Sequence, residues 1–508
     1  MSLAEACTWS VTRAVLVALM SLPVARLLLS VLRNCKPRTR FWLVAAMLLP
    51  VLMPELLVGF VYSEATLRVV RELSDPAANI VPPTQLRMPT TMDRPVSSAD
   101  VVAEVLYASL LLFRFAPIAA LTMWLMPAPR LSEEASHCRR LLLRSERSAW
   151  RRLQARFGMF TRGPLMAALP AFVVVFLLTF QEFEIASLMQ ISRAPVAWTV
   201  WLFDSNAGGQ ILSLSLWLSI GPLICELLVL GVALFALMRG DRDQTESLSR
   251  RVHCSPFRTA MAIVFLATSI VFIVGIPVGR LATDLAGGFG VLARQRGMLE
   301  TFAGEVLLAL AYGLSAALMA YWCSGFLFAR RKLRAIVTLV ASIPGLAGSL
   351  VLSLVVLKLF QQPWLSTLYD TPLPLILTLT LFFIPRAVLL RIVFFSKQPG
   401  EPLRLADLMR RSASSSVRGE GRKLSWAMRV QPVFWVIVLL AYWGYWDLTV
   451  SSILRPVRMP SFTPELYNKM HYGRNATLAT MSLIAGLLPL VLVGAVEAGR
   501  SVVQRFIP

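Results

Sequence analysis

Eleven stretches of about twenty mostly apolar residues constrain this chain more than any motif does, because each is long enough to cross a lipid bilayer as a helix. They are Val11–Leu32, Phe41–Val61, Val105–Met126, Gly163–Ile185, Ile211–Met238, Thr259–Val278, Phe302–Phe326, Ala335–Phe360, Leu373–Phe395, Val433–Ile453 and Ala476–Val496. Arg13, Pro23 and Arg26 interrupt the first. No small-residue cleavage site precedes Arg33-Asn34-Cys35-Lys36, so this stretch reads as a span and not as a signal peptide. Only 15% of the 508 residues are charged, against about 25% in soluble domains. The expected fold is an all-α polytopic membrane protein.

The charges that remain are distributed unevenly. Lys and Arg number 50 against 28 Asp and Glu, a formal net charge of +22. In a soluble protein that excess suggests nucleic acid. Here thirty-two of the fifty basic residues fall in one alternating set of loops: 33–40, 127–162, 239–258, 329–334, 396–432 and 497–508. Basic loops stay cytoplasmic, so the N-terminus is expected outside and the C-terminus inside, with no nucleic-acid partner. Six scattered cysteines and three distant histidines form no zinc or disulfide pattern. No Gly-x4-Gly-Lys-Ser/Thr phosphate loop occurs, and Gly419-Glu420-Gly421-Arg422-Lys423 is a basic patch only. An enzyme is therefore not expected.

The chain repeats its plan. Gly163–Ile185 leads into Glu184-Ile185-Ala186-Ser187-Leu188 and then Thr199-Val200-Trp201-Leu202-Phe203. Val433–Ile453 leads into Asp447-Leu448-Thr449-Val450-Ser451 and then Thr463-Pro464-Glu465-Leu466-Tyr467, so Glu184 aligns with Asp447. A long charged inside loop precedes each unit, 127–162 and 396–432. The organisation expected is a first half over 1–238, a cytoplasmic linker over 239–258 and a second half over 259–508.

Ionisable groups inside a membrane are costly and mark pathways. Glu55, Glu182, Glu184, Tyr442 and Asp447 are the candidate translocation path, with the acids favouring a cation between the halves. The alternative for each acid is a wet helix end or a bond to a neighbouring helix. Arg114, Glu226 and Lys358 also fall in spans. Prolines at 50, 54, 222, 277, 344 and 385 are expected to kink their helices.

The stretch from Trp446-Asp447-Leu448-Thr449 to Arg455-Pro456, continued by Leu466-Tyr467-Asn468-Lys469-Met470-His471-Tyr472-Gly473-Arg474-Asn475-Ala476, is similar to the C-terminal part of ABC importer permeases. The closest flavour is the ferric-iron and thiamine type, in which both permease halves share one chain. Phe180-Gln181-Glu182-Phe183-Glu184-Ile185 resembles the matching place in the first half. The resemblance implies two type I (MetI-like) halves in a bacterial inner membrane. It implies ATP on a separate cytoplasmic ATPase dimer, with no cofactor in this chain, and an external substrate-binding protein. Such permeases carry a Glu-Ala-Ala-x3-Gly motif in each inside loop, which seats on the ATPase. The corresponding residues are Glu133, Glu134 and Ala135, followed by Ser136 and by Arg140 at the glycine position, and then Leu405, Ala406 and Asp407. Both copies depart from the motif. The family has six spans per half, which implies a span missing before Val11–Leu32 or a five-plus-six form. The rival reading is an ion-gradient-driven secondary transporter, with Glu55 and Glu184 as proton sites.

Overall fold

The structure is a computed structural model that describes residues 2–73, 98–125, 166–190, 195–208, 212–240, 255–294, 296–329, 334–395, 400–471 and 475–506, with isolated positions between 138 and 150. The described residues form helices and short connections, with no strand among them. They divide into two compact units, Met1–Pro277 and Val278–Pro508.

The first unit opens with α1 (Leu3–Asn34), 32 residues long and so about 48 Å at 1.5 Å per residue. Ser2 and Glu5 form a reciprocal capping box at its start. The two half-helices α2 (Pro37–Leu52) and α3 (Glu55–Leu73) follow. They meet at Met53–Pro54 with a bend of 64° between Arg38–Leu52 and Glu55–Ser63. Pro54 lacks the N–H that would continue the ladder. Next come α4 (Ser98–Leu125), α5 (Met166–Phe180), the short α6 (Glu184–Met189), α7 (Trp198–Ala207), α8 (Leu212–Leu218) and α9 (Ile220–Gly240). Three helices, α1, α4 and α5, pack mutually and form the core, while α3 lies on α6. Gly59 makes that last contact close: a Cβ there would sit 3.1 Å from the Cα of Ile185.

Helix α10 (Pro256–Ile270) continues through a π-turn at Val271–Gly275. It was expected to open the second half, but it packs in the first unit against α1, α2 and α4. The Ser269 hydroxyl donates to Phe113 O at 2.6 Å, and Tyr62 OH donates to Phe272 O at 2.8 Å. The packing boundary therefore lies later in the chain than the boundary suggested by the repeat.

The second unit repeats the first. Its core is α12 (Arg296–Ala329), α15 (Leu373–Phe395) and α18 (Gln431–Trp446), preceded by α11 (Leu285–Arg294). Its bent pair is α13 (Arg334–Leu346) and α14 (Gly348–Phe360), turned by 98°. Gly348 holds a φ of +82°, a conformation that favours glycine. Two helices, α16 (Gly400–Arg410) and α17 (Ser415–Ser425), form an antiparallel hairpin. The short α19 (Leu448–Leu454), α20 (Phe462–His471) and α21 (Asn475–Phe506) complete the unit, with α14 lying on α19. The order long core helix, bent pair, core helix, core helix, short helix, outer helix, last helix holds in both units.

Among the described residues, eight helices are long and apolar enough to cross a membrane, or ten if each bent pair counts as one span. Of the expected span Gly163–Ile185, the described part of α5 begins at Met166, and the helix stops at Phe180. Phe41–Val61 and Ala335–Phe360 are also not continuous, because each is broken into its bent pair. Trp217, Leu228, Val264, Trp322, Leu490 and Val491 are among many large apolar side chains on outward faces. Water does not favour so much exposed apolar surface. The chain is an all-α, multi-pass membrane protein.

Candidate functional site

Each core ends in a helix break held by one acid. In the first unit α5 stops at Phe180 and the chain turns through Gln181–Phe183 into α6. Glu182, 4% exposed, reaches forward to cap that turn. Its Oε1 accepts from Ile185 N at 2.5 Å and its Oε2 from Ala186 N at 3.1 Å. Tyr107 OH donates to the same Oε2. The Thr199 hydroxyl donates to Glu182 O at 3.0 Å, and the Trp198 ring stacks on Phe180 with centroids 5.5 Å apart. In the second unit Asp447 Oδ1 accepts from Val450 N at 2.7 Å. The Thr463 hydroxyl donates to Asp447 O at 3.2 Å, and the Phe462 ring meets Tyr445 at 4.7 Å.

The structural equivalent of Asp447 is therefore Glu182. Glu184, which the sequence repeat aligned with Asp447, sits in the first turn of α6 and is half-buried. The alignment slipped by two residues because apolar runs do not reveal where α5 breaks. Tyr442 is half-buried on α18, one turn before the second break.

Around the first break the unit buries a charged network. Arg13, 4% exposed, pairs through Nε with Glu104 Oε1 and lies over the Tyr107 ring, its Cζ 4.8 Å from the centroid. Arg114, also 4% exposed, pairs through Nη2 with Glu55 Oε1 at 3.2 Å and donates from the same nitrogen to Val51 O at 3.3 Å. Glu226 is fully buried, and its Oε2 accepts from Gln181 Nε2 at 2.7 Å. A cavity of about 10 Å³, close to the minimum for one water, is lined by Asp100, Ala103, Glu104, Tyr107, Met189, Gln190 and Pro195. Gln190 places its Oε1 on Ala197 N at 2.7 Å and leaves Nε2 without a partner.

This geometry changes the reading of the acids. Glu55 is matched by Arg114, and Glu182 is held by three donors. Neither is the free carboxylate that an acid-lined cation route requires. The sequence reading singled out Glu55 and Glu182 but did not connect them to Arg13, Glu104 and Tyr107. The available signal was a charge inside an apolar stretch, and Arg13 and Arg114 both carried it.

Of the expected ATPase-facing residues, Glu133, Glu134 and Ala135 lie outside the described residues. Leu405, Ala406 and Asp407 lie on α16. Ala406 packs inward at 1% exposure, and Asp407 pairs with Arg429 at 2.7 Å. Leu405 and Leu408 face outward at 53% and 66%. No family model, curated protein or solved structure matches the chain.

The two breaks predict unequal costs. Asp447→Ala removes one cap and is expected to cost about 1 kcal/mol. Glu182→Ala leaves two buried amides and a buried hydroxyl unpaired and is expected to cost about 3 kcal/mol. Denaturation of each variant in detergent micelles checks the order; equal losses would contradict it.

Proposed function

We propose that the chain is the membrane-spanning permease subunit of an ABC importer. It carries a small solute across the bacterial inner membrane, using ATP hydrolysed by a separate subunit. The observation that carries this reading is the duplicated core joined to the α16–α17 hairpin. The hairpin falls in the loop 396–432, which the resemblance implies faces the ATPase, and it turns Leu405 and Leu408 outward. Exposed leucines on a helix with buried Ala406 behind them suit a helix-in-groove contact. The hairpin is held together by Gly421, where a Cβ would lie 2.6 Å from Arg410 N. In this reading the basic loops face the cytoplasm, the N-terminus lies outside, and a binding protein delivers solute from outside.

The experiment is affinity purification of the full chain from its native membranes. An ATPase subunit bearing a phosphate-binding loop is expected to co-purify. Leu405→Arg with Leu408→Arg is expected to lose that subunit by at least roughly tenfold, since a few central apolar anchors carry most of an interface's energy. The fold is expected to persist, because both side chains already face outward. Recovery of no ATPase, with uptake that collapses under an uncoupler while ATP stays high, would replace this reading with an ion-gradient-driven transporter.

A further inference from the structure

The α2–α3 break carries chemistry that the helix cap at Glu182 does not use. Arg114 rises from the middle of α4 to this break. Its Nη2 bridges the two half-helices, donating to Val51 O at 3.3 Å near the end of α2 and to Glu55 Oε1 at 3.2 Å at the start of α3. Its Nε and Nη1 are buried and have no hydrogen-bond partner. Leaving two N–H groups of a guanidinium unpaired away from water is costly. The N-terminus of α3, a helix of 19 residues, meets the same break and favours negative charge there.

The neighbouring charges are otherwise matched. Arg13 holds Glu104, and Glu182 takes its three donors. Glu55 differs from them: its side chain is 33% exposed, so it is able to leave the guanidinium without unfolding its surroundings. Arg114 therefore has one nitrogen occupied by a tethered carboxylate and two buried nitrogens unpaired.

We propose that the α2–α3 break is a binding site for a small oxyanion, a carboxylate or phosphate group, which displaces Glu55 from Arg114 Nη2 and shares that nitrogen's edge with one of the two unpaired nitrogens, Nε or Nη1. The exchange keeps Arg114 paired with one anion, while the displaced Glu55 carboxylate turns towards its exposed side. The planar guanidinium suits donation of two parallel hydrogen bonds to such a group. Glu55 is then a built-in competitor that keeps Arg114 paired when the site is empty. As a solute site this rests on the transport reading; as a binding site it does not.

The test is thermal unfolding of the solubilised full chain in sodium acetate, sodium phosphate or sodium chloride at matched ionic strength. Acetate or phosphate is expected to raise the midpoint above that in chloride. Glu55→Gln removes the competitor and is expected to lower the half-saturating concentration by roughly tenfold, the equivalent of one charge-assisted hydrogen bond. Arg114→Gln is expected to abolish the response. Identical midpoints in all three salts would overturn the proposal. So would a response that survives Arg114→Gln, which would mark an adventitious ion only. If Arg114→Gln fails to fold, Glu55→Gln decides alone: a purely structural ion pair loses stability in that variant and gains no anion response. No ATP and no partner subunit enter the measurement, so its failure and failure of the permease reading are separate results.

Discussion

Glu104→Ala is expected to destabilise the first unit by about 3–5 kcal/mol, because it leaves the buried Arg13 guanidinium without its carboxylate partner. Arg13 is 4% exposed, and its contacts are the Glu104 carboxylate and the face of Tyr107. One of its nitrogens, Nη2, is already buried without a partner. The sign is set by desolvation more than by the attraction between the two charges. Removing both charges together, as Arg13→Met with Glu104→Met, is therefore expected to recover most of the loss. Unfolding of the two single variants and the double variant in the same detergent yields the coupling. A double variant as unstable as Glu104→Ala would show that the pair holds the helices by geometry and not by charge matching.

Gly313→Leu is the second large effect. A Cβ at Gly313 would lie 2.6 Å from Ala441 O and 2.8 Å from Tyr445 N, both backbone atoms of α18. Gly444 answers it from the other side, where a Cβ would meet the Cα of Gly313 at 3.0 Å. Two glycines thus let α12 and α18 cross with their backbones nearly touching, and small residues play this role between membrane helices. A larger side chain has no flexible neighbour to push aside. The cost is expected near the top of the usual overpacking range, about 3 kcal/mol. Gly486→Ala is the control: nothing lies within 4 Å of a Cβ there, and alanine favours a helix over glycine by about 1 kcal/mol. Opposite signs for the two substitutions are the expected result. Destabilisation by both would place the effect in the backbone and not in the crossing.

These two predictions also mark where the sequence was readable. Most of the apolar stretches correspond to a long apolar helix or a bent pair, because twenty apolar residues in a row leave few alternatives, whereas Gly163–Ile185 runs across the break after Phe180. Pro54 announced the break between α2 and α3. Asp447, singled out as a pathway acid with a helix end as the alternative, caps α19. Pro344, expected to kink its helix, lies just ahead of the 98° break at Leu346–Gly348, although apolar residues continue across it. The partnership of Arg13 with Glu104 spans 91 positions, and no local pattern specifies it. The same holds for Gly313, whose value appears only when α18 lies against it. Glu182 was noticed as a charge near a membrane, yet its work as a cap depends on a two-residue break that hydropathy smooths over.

Helix α17 runs without a sharp bend through the π-turn at Trp426–Val430 into α18, so Ser415–Trp446 is a single rod of 32 residues. At 1.5 Å per residue it is about 48 Å long, and Asp407 with Arg429 clamps α16 to its side. One continuous helix therefore joins the hairpin to the far tip, where Asp447 holds the second break. If a partner grips Leu405 and Leu408 as proposed, its lever arm on the core is this helix, and the π-turn is where the arm would give.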